Sequence, residues 1–103
     1  MSYTIDANVL LYASDEASPL HGRARALIQR VADGPEPVYL FWPTVMAYLR
    51  IATHPAVFER PLSITEAVGN VGQLLARPHV RTIWTRDRDF RRFPRIDARD
   101  PHA

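Results

Sequence analysis

The residues of this chain best suited to chemistry are carboxylates that follow apolar runs. Tyr3-Thr4-Ile5 are β-formers; Asp6 and Asn8 come next, followed by the apolar Val9-Leu10-Leu11-Tyr12. Near the other end Val80-Arg81-Thr82-Ile83-Trp84 repeats the arrangement and leads into Thr85-Arg86-Asp87-Arg88-Asp89-Phe90. In open α/β sheets ligands bind in the crevice beyond the carboxyl ends of the strands, so an acid placed there is aimed at a site. Two carboxylates converging beside arginines suit a hard cation, because magnesium takes oxygen ligands: one or two protein carboxylates, waters and substrate phosphate. Asp6 and Asp87 are the candidate metal ligands, with Asp89 in support. A bound ion lowers the pKa of a water for attack on phosphorus and neutralises the developing charge, so the reaction class is phosphodiester hydrolysis. Each motif alone has a structural alternative. Asp6 or Asn8 would cap the next helix, and Thr85 to Asp89 would be an N-cap with first-turn acids balanced by Arg86 and Arg88.

The site requires one strand ending at Asp6, another ending at Trp84, and helices that space them. Ser18-Pro19 reads as an N-cap and first turn, with Leu20, Ala24, Leu27, Ile28 and Val31 at helical spacing and an end before Gly34. His21, in that first turn, reads as a capping or packing residue. Gly34-Pro35-Glu36-Pro37 is a turn into Val38-Tyr39-Leu40-Phe41-Trp42, a continuous apolar run expected of a strand covered on both faces. Pro43 opens a helix through Val45, Met46, Leu49 and Ala52 that His54-Pro55 stops, and Arg50 near its end complements the helix dipole. Ser63-Ile64-Thr65-Glu66 fits a capping box, and Ile64, Ala67, Val68, Val71, Leu74 and Leu75 form an apolar stripe closed by Pro78. Met46, Trp42, Phe58 and Trp84 are core candidates. Strands joined by helices predict right-handed parallel crossovers. If the first and last strands are neighbours, Asp6 and Asp87 meet at one edge of the sheet.

The 103 residues fit one small domain, residues 1–103. Cysteine is absent, which excludes a disulfide framework, thiolate catalysis and cysteine-based zinc sites. No window has the apolar length of a membrane span, and the N-terminus lacks a basic n-region, so the expectation is a cytoplasmic protein. All 13 basic residues are arginine, and the segment from Arg77 onward carries +4 while the rest carries -2. Arginine forks suit phosphate oxygens or partner carboxylates, which fits a nucleic acid, an acidic partner protein, or simply a solvated tail.

Ile5-Asp6-Ala7-Asn8-Val9-Leu10-Leu11-Tyr12 and Thr85-Arg86-Asp87-Arg88-Asp89-Phe90 together resemble the opening and closing motifs of PIN-domain ribonucleases, particularly VapC-type toxins of bacterial toxin-antitoxin pairs. Trp42-Pro43-Thr44 through Tyr48-Leu49-Arg50-Ile51-Ala52-Thr53-His54-Pro55 and Phe90-Arg91-Arg92-Phe93-Pro94 resemble segments of one subfamily. The resemblance implies a three-layer α/β/α fold around a short parallel sheet. It further implies endonuclease activity on RNA with magnesium, or manganese in its place, and inhibition by a small cognate antitoxin; apart from the resemblance, the apolar faces of the helices from Pro19 and Ser63 fit core packing, antitoxin docking or the expected homodimer. By the same resemblance Asp6 is the leading metal ligand, Asn8 fixes the loop that carries it, Thr85 and Arg86 position the second cluster, and Asp87 and Asp89 are its acids.

The chain departs from the family in two places. The family's usual Glu on the helix after the second strand is aligned with Ala47. Family members also carry a strand, a loop and a helix with a central acid between the region of Pro78 and the final strand, whereas here Leu74-Leu75-Ala76-Arg77-Pro78-His79-Val80 runs almost directly into Arg81-Thr82-Ile83-Trp84. The expectation is an internally shortened PIN-like domain. The functional readings are a magnesium-dependent RNase toxin, a catalytically impaired remnant that still binds antitoxin or RNA, and, last, an aspartate-nucleophile phosphohydrolase. That last class usually employs a lysine, and this chain has none.

Overall fold

A computed structural model describes residues 2–83 together with the short strand at 95–96. In chain order the elements are β1 (Tyr3–Ile5), α1 (Ala7–Ser14), α2 (His21–Ala32), β2 (Val38–Phe41), α3 (Trp42–Ala52), α4 (Ile64–Leu75), β3 (Val80–Ile83) and β4 (Arg95–Ile96). The strands form one sheet in the order β3-β2-β1-β4, and every neighbouring pair is parallel.

Register sorts the side chains onto two faces. Tyr3 pairs with Val38 and Val38 with Val80, while Thr4 pairs with Tyr39 and Tyr39 with Arg81. Because side chains alternate along a strand, Ile5, Val38, Leu40 and Val80 share one face, and Thr4, Tyr39, Phe41 and Arg81 the other. The steps from β1 to β2 and from β2 to β3 run in the same direction across the sheet, so right-handed crossovers put α1 to α4 on a single face. Contacts of α1 with α2 and α3, and of α3 with α4, agree with one helical layer. Ile5, Val38, Leu40 and Val80 are buried against Val9, Leu10, Ala24, Val45, Tyr48, Ala67, Val71 and Leu74 of these helices. The α/β class and parallel sheet are those the resemblance implies, and the described helices make up one of its two helical layers.

Local chemistry accounts for the boundaries. Ser63 Oγ accepts the Glu66 amide at 3.0 Å and a Glu66 carboxylate oxygen accepts the Ser63 amide at 3.0 Å, so the capping box that opens α4 is present. Pro43 sits in the first turn of α3, where its missing N–H is no loss. The helix begins one residue before it, with Trp42, rather than after a strand that reaches Trp42. Helix α2 starts at His21 instead of Pro19, because Ser18 closes a local turn: its Oγ accepts the Leu20 amide at 3.1 Å and its carbonyl accepts the His21 amide at 3.1 Å. His21 packs back on α1, its Nδ1 3.1 Å from the Tyr12 carbonyl oxygen.

Not every apolar residue of the sequence pattern is core. Phe58 is buried, but Met46, Ile64 and Val68 are about half exposed. On α4 the inward stripe is Ala67, Val71 and Leu74, which leaves Ile64 and Val68 on the outward side of the helix. Among the described residues no helix is long and apolar enough to cross a membrane.

Candidate active site at the carboxyl edge of the sheet

Asp6 is the residue at which β1 becomes α1. Its backbone is extended (φ -78°, ψ 154°) and its carbonyl accepts the Val9 amide at 3.2 Å, but its side chain makes no capping hydrogen bond. Of the two readings of this acid, the capping one is therefore not realised by the carboxylate. Three β-formers bury Thr4 and Ile5 to fix the strand, and Val9, Leu10 and Leu11 bury the following helix, so the half-buried Asp6 is held at the carboxyl edge between two anchored elements.

Asn8 lies in the first turn of α1 and is exposed. Thr85, Arg86, Asp87 and Asp89 lie outside the described residues, as does Trp84. The strand that leads to them is parallel to β1, so both strands deliver their ends to the same edge. They are not neighbours, however: β2 lies between them, with Phe41 in register with Ile83. Two inter-strand spacings separate the ends, about 10 Å. The reason is connection length. Only Ala76 to His79 link α4 to β3, and a short right-handed crossover from β2 returns to the strand position beside it.

On α3, Ala47, the position that the resemblance aligns with the family's usual Glu, is half-buried. Among the described residues no three His, Asp or Glu side chains gather as a metal site. Two other described acids do other work: Asp33 accepts the Gln29 side-chain amide at 2.8 Å and faces Arg77 at 3.6 Å, and Glu66 serves the capping box. Glu66 is held below the ordinary carboxylate range, first by the Ser63 backbone N–H and then by the Ser63 hydroxyl. Asp6, the acid described at this edge, offers carboxylate oxygens, which fit a hard cation, and its carboxylate is not used in capping the helix.

Sequence reasoning missed a polar relay through the buried Tyr48. Asn70 on α4 donates its Nδ2 N–H to the Tyr48 hydroxyl at 3.0 Å, and Tyr48 Oη lies 2.6 Å from Ser14 Oγ. Ser14 Oγ donates in turn to the Leu10 carbonyl at 3.0 Å. A tyrosine on the inward stripe of α3, between Val45 and Ala52, was the available signal, since a buried phenol requires a partner.

No protein-family model matches the chain. Curated relatives do. Ribonuclease VapC48 of Mycobacterium tuberculosis is 36% identical over 144 aligned positions that cover 100% of this chain and 99% of the relative. Ribonuclease VapC33 of the same organism is 37% identical over 75 residues, 73% of this chain and 52% of the relative. Ribonuclease VapC43 is 30% identical over 92 residues, 89% of this chain and 63% of the relative. The VapC48 alignment also measures the shortening: 144 positions set against 103 residues leave at least 41 (144 less 103) where this chain has no residue. Because the alignment spans nearly all of both chains, the missing positions are internal. An acid at the end of the first of several parallel strands is what the opening motif implied, and with that identity over its whole length the chain belongs to the VapC family of PIN-domain ribonucleases.

Proposed function

We propose that this chain is a single-domain, metal-dependent endoribonuclease toxin that hydrolyses RNA phosphodiester bonds and is neutralised by a cognate antitoxin. The observation that carries the reading is Asp6, an acid at the carboxyl edge of a parallel sheet whose carboxylate does not cap the helix it precedes, in a chain related end to end to a VapC ribonuclease. Magnesium, or manganese in its place, would be held by Asp6 and Asp87, with Asp89 near; bound there it supplies charge neutralisation and an acidified water. Asp6 orients that site. Asn8, two residues on in the first turn of α1, steadies the loop, and Thr85 and Arg86 position the second acid cluster and the phosphate. Asp87 follows Ile83 by four residues, a chain length of at most about 13 Å, which is enough to reach across two strand spacings. A homodimer in the cytoplasm is the expected state.

The test is cleavage of labelled structured RNA with magnesium or manganese, an EDTA control, and Asp6→Asn protein purified in the same way. Metal-dependent cutting that disappears in the variant supports the reading; equal cutting by both proteins sinks it. A second reading, a remnant that binds antitoxin or RNA without cleaving, is favoured by the internal absence of at least 41 positions (144 less 103). Well-folded protein that retains RNA in gel shifts but never cuts would select it.

A further inference from the structure

We propose that Tyr48 is a positioning residue for Asp6, acting through Ser14 and helix α1. The link to catalysis rests on the RNase reading, whereas the positioning itself rests on the fold. Ser14 has one hydroxyl proton, and it goes to the Leu10 carbonyl at 3.0 Å. Toward Tyr48 the serine oxygen must therefore accept, so the phenol O–H donates across the 2.6 Å contact and its oxygen receives the Asn70 N–H at 3.0 Å. Every proton of the relay is committed in one direction, from α4 through α3 to α1. Tyr48, 1% exposed, is the shielded link between the half-buried Ser14 and the exposed Asn70.

The relay adds a directional tie on the α3 and α4 side of α1, whereas His21, whose Nδ1 lies 3.1 Å from the Tyr12 carbonyl, ties the helix to α2. The helix is eight residues long, about 12 Å, with Asp6 at its N-cap and Ser14 as its last residue. It is seated by Val9, Leu10 and Leu11, and apolar contacts of this kind are non-directional. Strand β1 offers only three residues to resist a tilt. There is also room to tilt: a cleft of about 270 Å³ lies between Leu10, Ala13 and Ser14 on one side and Asn70, Val71 and Leu74 on the other. Hydrogen bonds fix a geometry that apolar burial leaves loose, so the relay holds α1 off that cleft. Asp6, as the N-cap residue of α1, moves with the helix it begins.

Tyr48→Phe removes only the hydroxyl. Val71→Ala, on the opposite wall of the cleft, loosens packing without touching the relay and serves as the control. Three quantities are read in the full chain: the ¹³C resonance of the Asp6 carboxyl in aspartate-labelled protein, assigned with Asp6→Asn; amide exchange along α1; and kcat and KM for RNA cleavage. Tyr48→Phe is expected to move the Asp6 resonance, speed exchange in α1 about tenfold and lower kcat about tenfold with KM unchanged. Val71→Ala is expected to leave the Asp6 resonance in place. An Asp6 resonance unmoved in Tyr48→Phe, or moved equally in Val71→Ala, overturns the proposal. If the wild-type chain cuts no RNA while the resonance and exchange respond as expected, the positioning stands and the RNase reading falls. Should Tyr48→Phe fail to fold, Ser14→Ala breaks the same contact from the helix α1 side and is read identically.

Discussion

Asp6 and Phe41 stand at the same point of two successive strand-to-helix turns. Both are extended, Asp6 directly after β1 at φ -78°, ψ 154° and Phe41 as the last residue of β2 at φ -76°, ψ 137°, and each is the N-cap of the helix that follows. Neither helix receives a side-chain cap, and neither has an acid in its first turn. Phenylalanine has no group with which to cap. Aspartate does, and its carboxylate is not so used. The pair thus separates the two roles an acid can play at a strand end: the turn forms equally well with an apolar residue, so the acid at position 6 is not required by the turn.

Asp6→Asn should therefore abolish metal-dependent cleavage without destabilising the protein. Asparagine is as good an N-cap as aspartate, and the carboxylate contributes no capping bond. The expected outcome is a loss of at least about a hundredfold in kcat/KM with a melting temperature within a degree or two of wild type. Initial rates on labelled RNA and a thermal melt followed by circular dichroism measure both. A large fall in melting temperature would assign Asp6 to structure instead.

Ala47→Glu should strengthen the metal site. The position is half-buried on α3, which starts directly after β2 and so begins at the carboxyl edge that Asp6 occupies. A third carboxylate raises both ligand count and charge, and is expected to tighten Mn²⁺ binding about tenfold. Water-proton relaxation enhancement during Mn²⁺ titration reports the affinity. Unchanged affinity would mean that α3 does not face the ion.

Much of this edge was legible from residue types alone. The β-forming Tyr3-Thr4-Ile5 before Asp6, the apolar run from Val38 and the reciprocal Ser63 and Glu66 cap are local signals, and each produced its element within a residue or two. What was not legible depends on partners distant in sequence. Val68 and Ile64 fit the α4 stripe by spacing, yet the helix seats Ala67, Val71 and Leu74 inward, because close packing on α3 and β3 selects a narrower face. Met46 likewise turned outward. The largest difference is topological: β3 lies beside β2 and not beside β1, which follows from the four-residue link after α4 and has no signature in the strand itself. The Ser14, Tyr48 and Asn70 relay joins three helices and could not be read from any one of them.

The capping box of α4 gives the protein a pH-dependent element. Glu66 is held below its ordinary range by the Ser63 backbone N–H and hydroxyl, so its folded-state pKa is depressed relative to the unfolded chain. The sign follows from linkage: the stabilisation is fully present above the unfolded carboxylate range, and it is lost as pH falls through that range to the lower folded value. Urea midpoints of wild type should therefore fall more steeply on acidification from neutral pH than those of Glu66→Gln, which keeps the reach but cannot titrate. Ser63→Ala should lower stability by about 1 kcal/mol at neutral pH, the usual effect of losing an N-cap hydroxyl. Parallel acid profiles for wild type and Glu66→Gln would rule the element out.

Gly34 and His79 should show coupled stabilities. Gly34 joins α2 to β2 at φ +76°, a conformation that side chains resist, and a Cβ placed there would stand 3.1 to 3.3 Å from the His79 ring. The ring cannot easily give way, because its Nε2 lies 3.0 Å from the Val31 carbonyl at the end of α2, a bond in which the imidazole N–H donates. Gly34→Ala thus meets two penalties, backbone strain and a steric one, and should cost about 1–3 kcal/mol in urea unfolding. His79→Ala removes the steric part and leaves the strain. The same Gly34→Ala change made in the His79→Ala background should therefore cost less, by about 1 kcal/mol. Additive effects in that cycle would mean that the left-handed backbone alone requires glycine at position 34, and that the His79 ring merely lies over it.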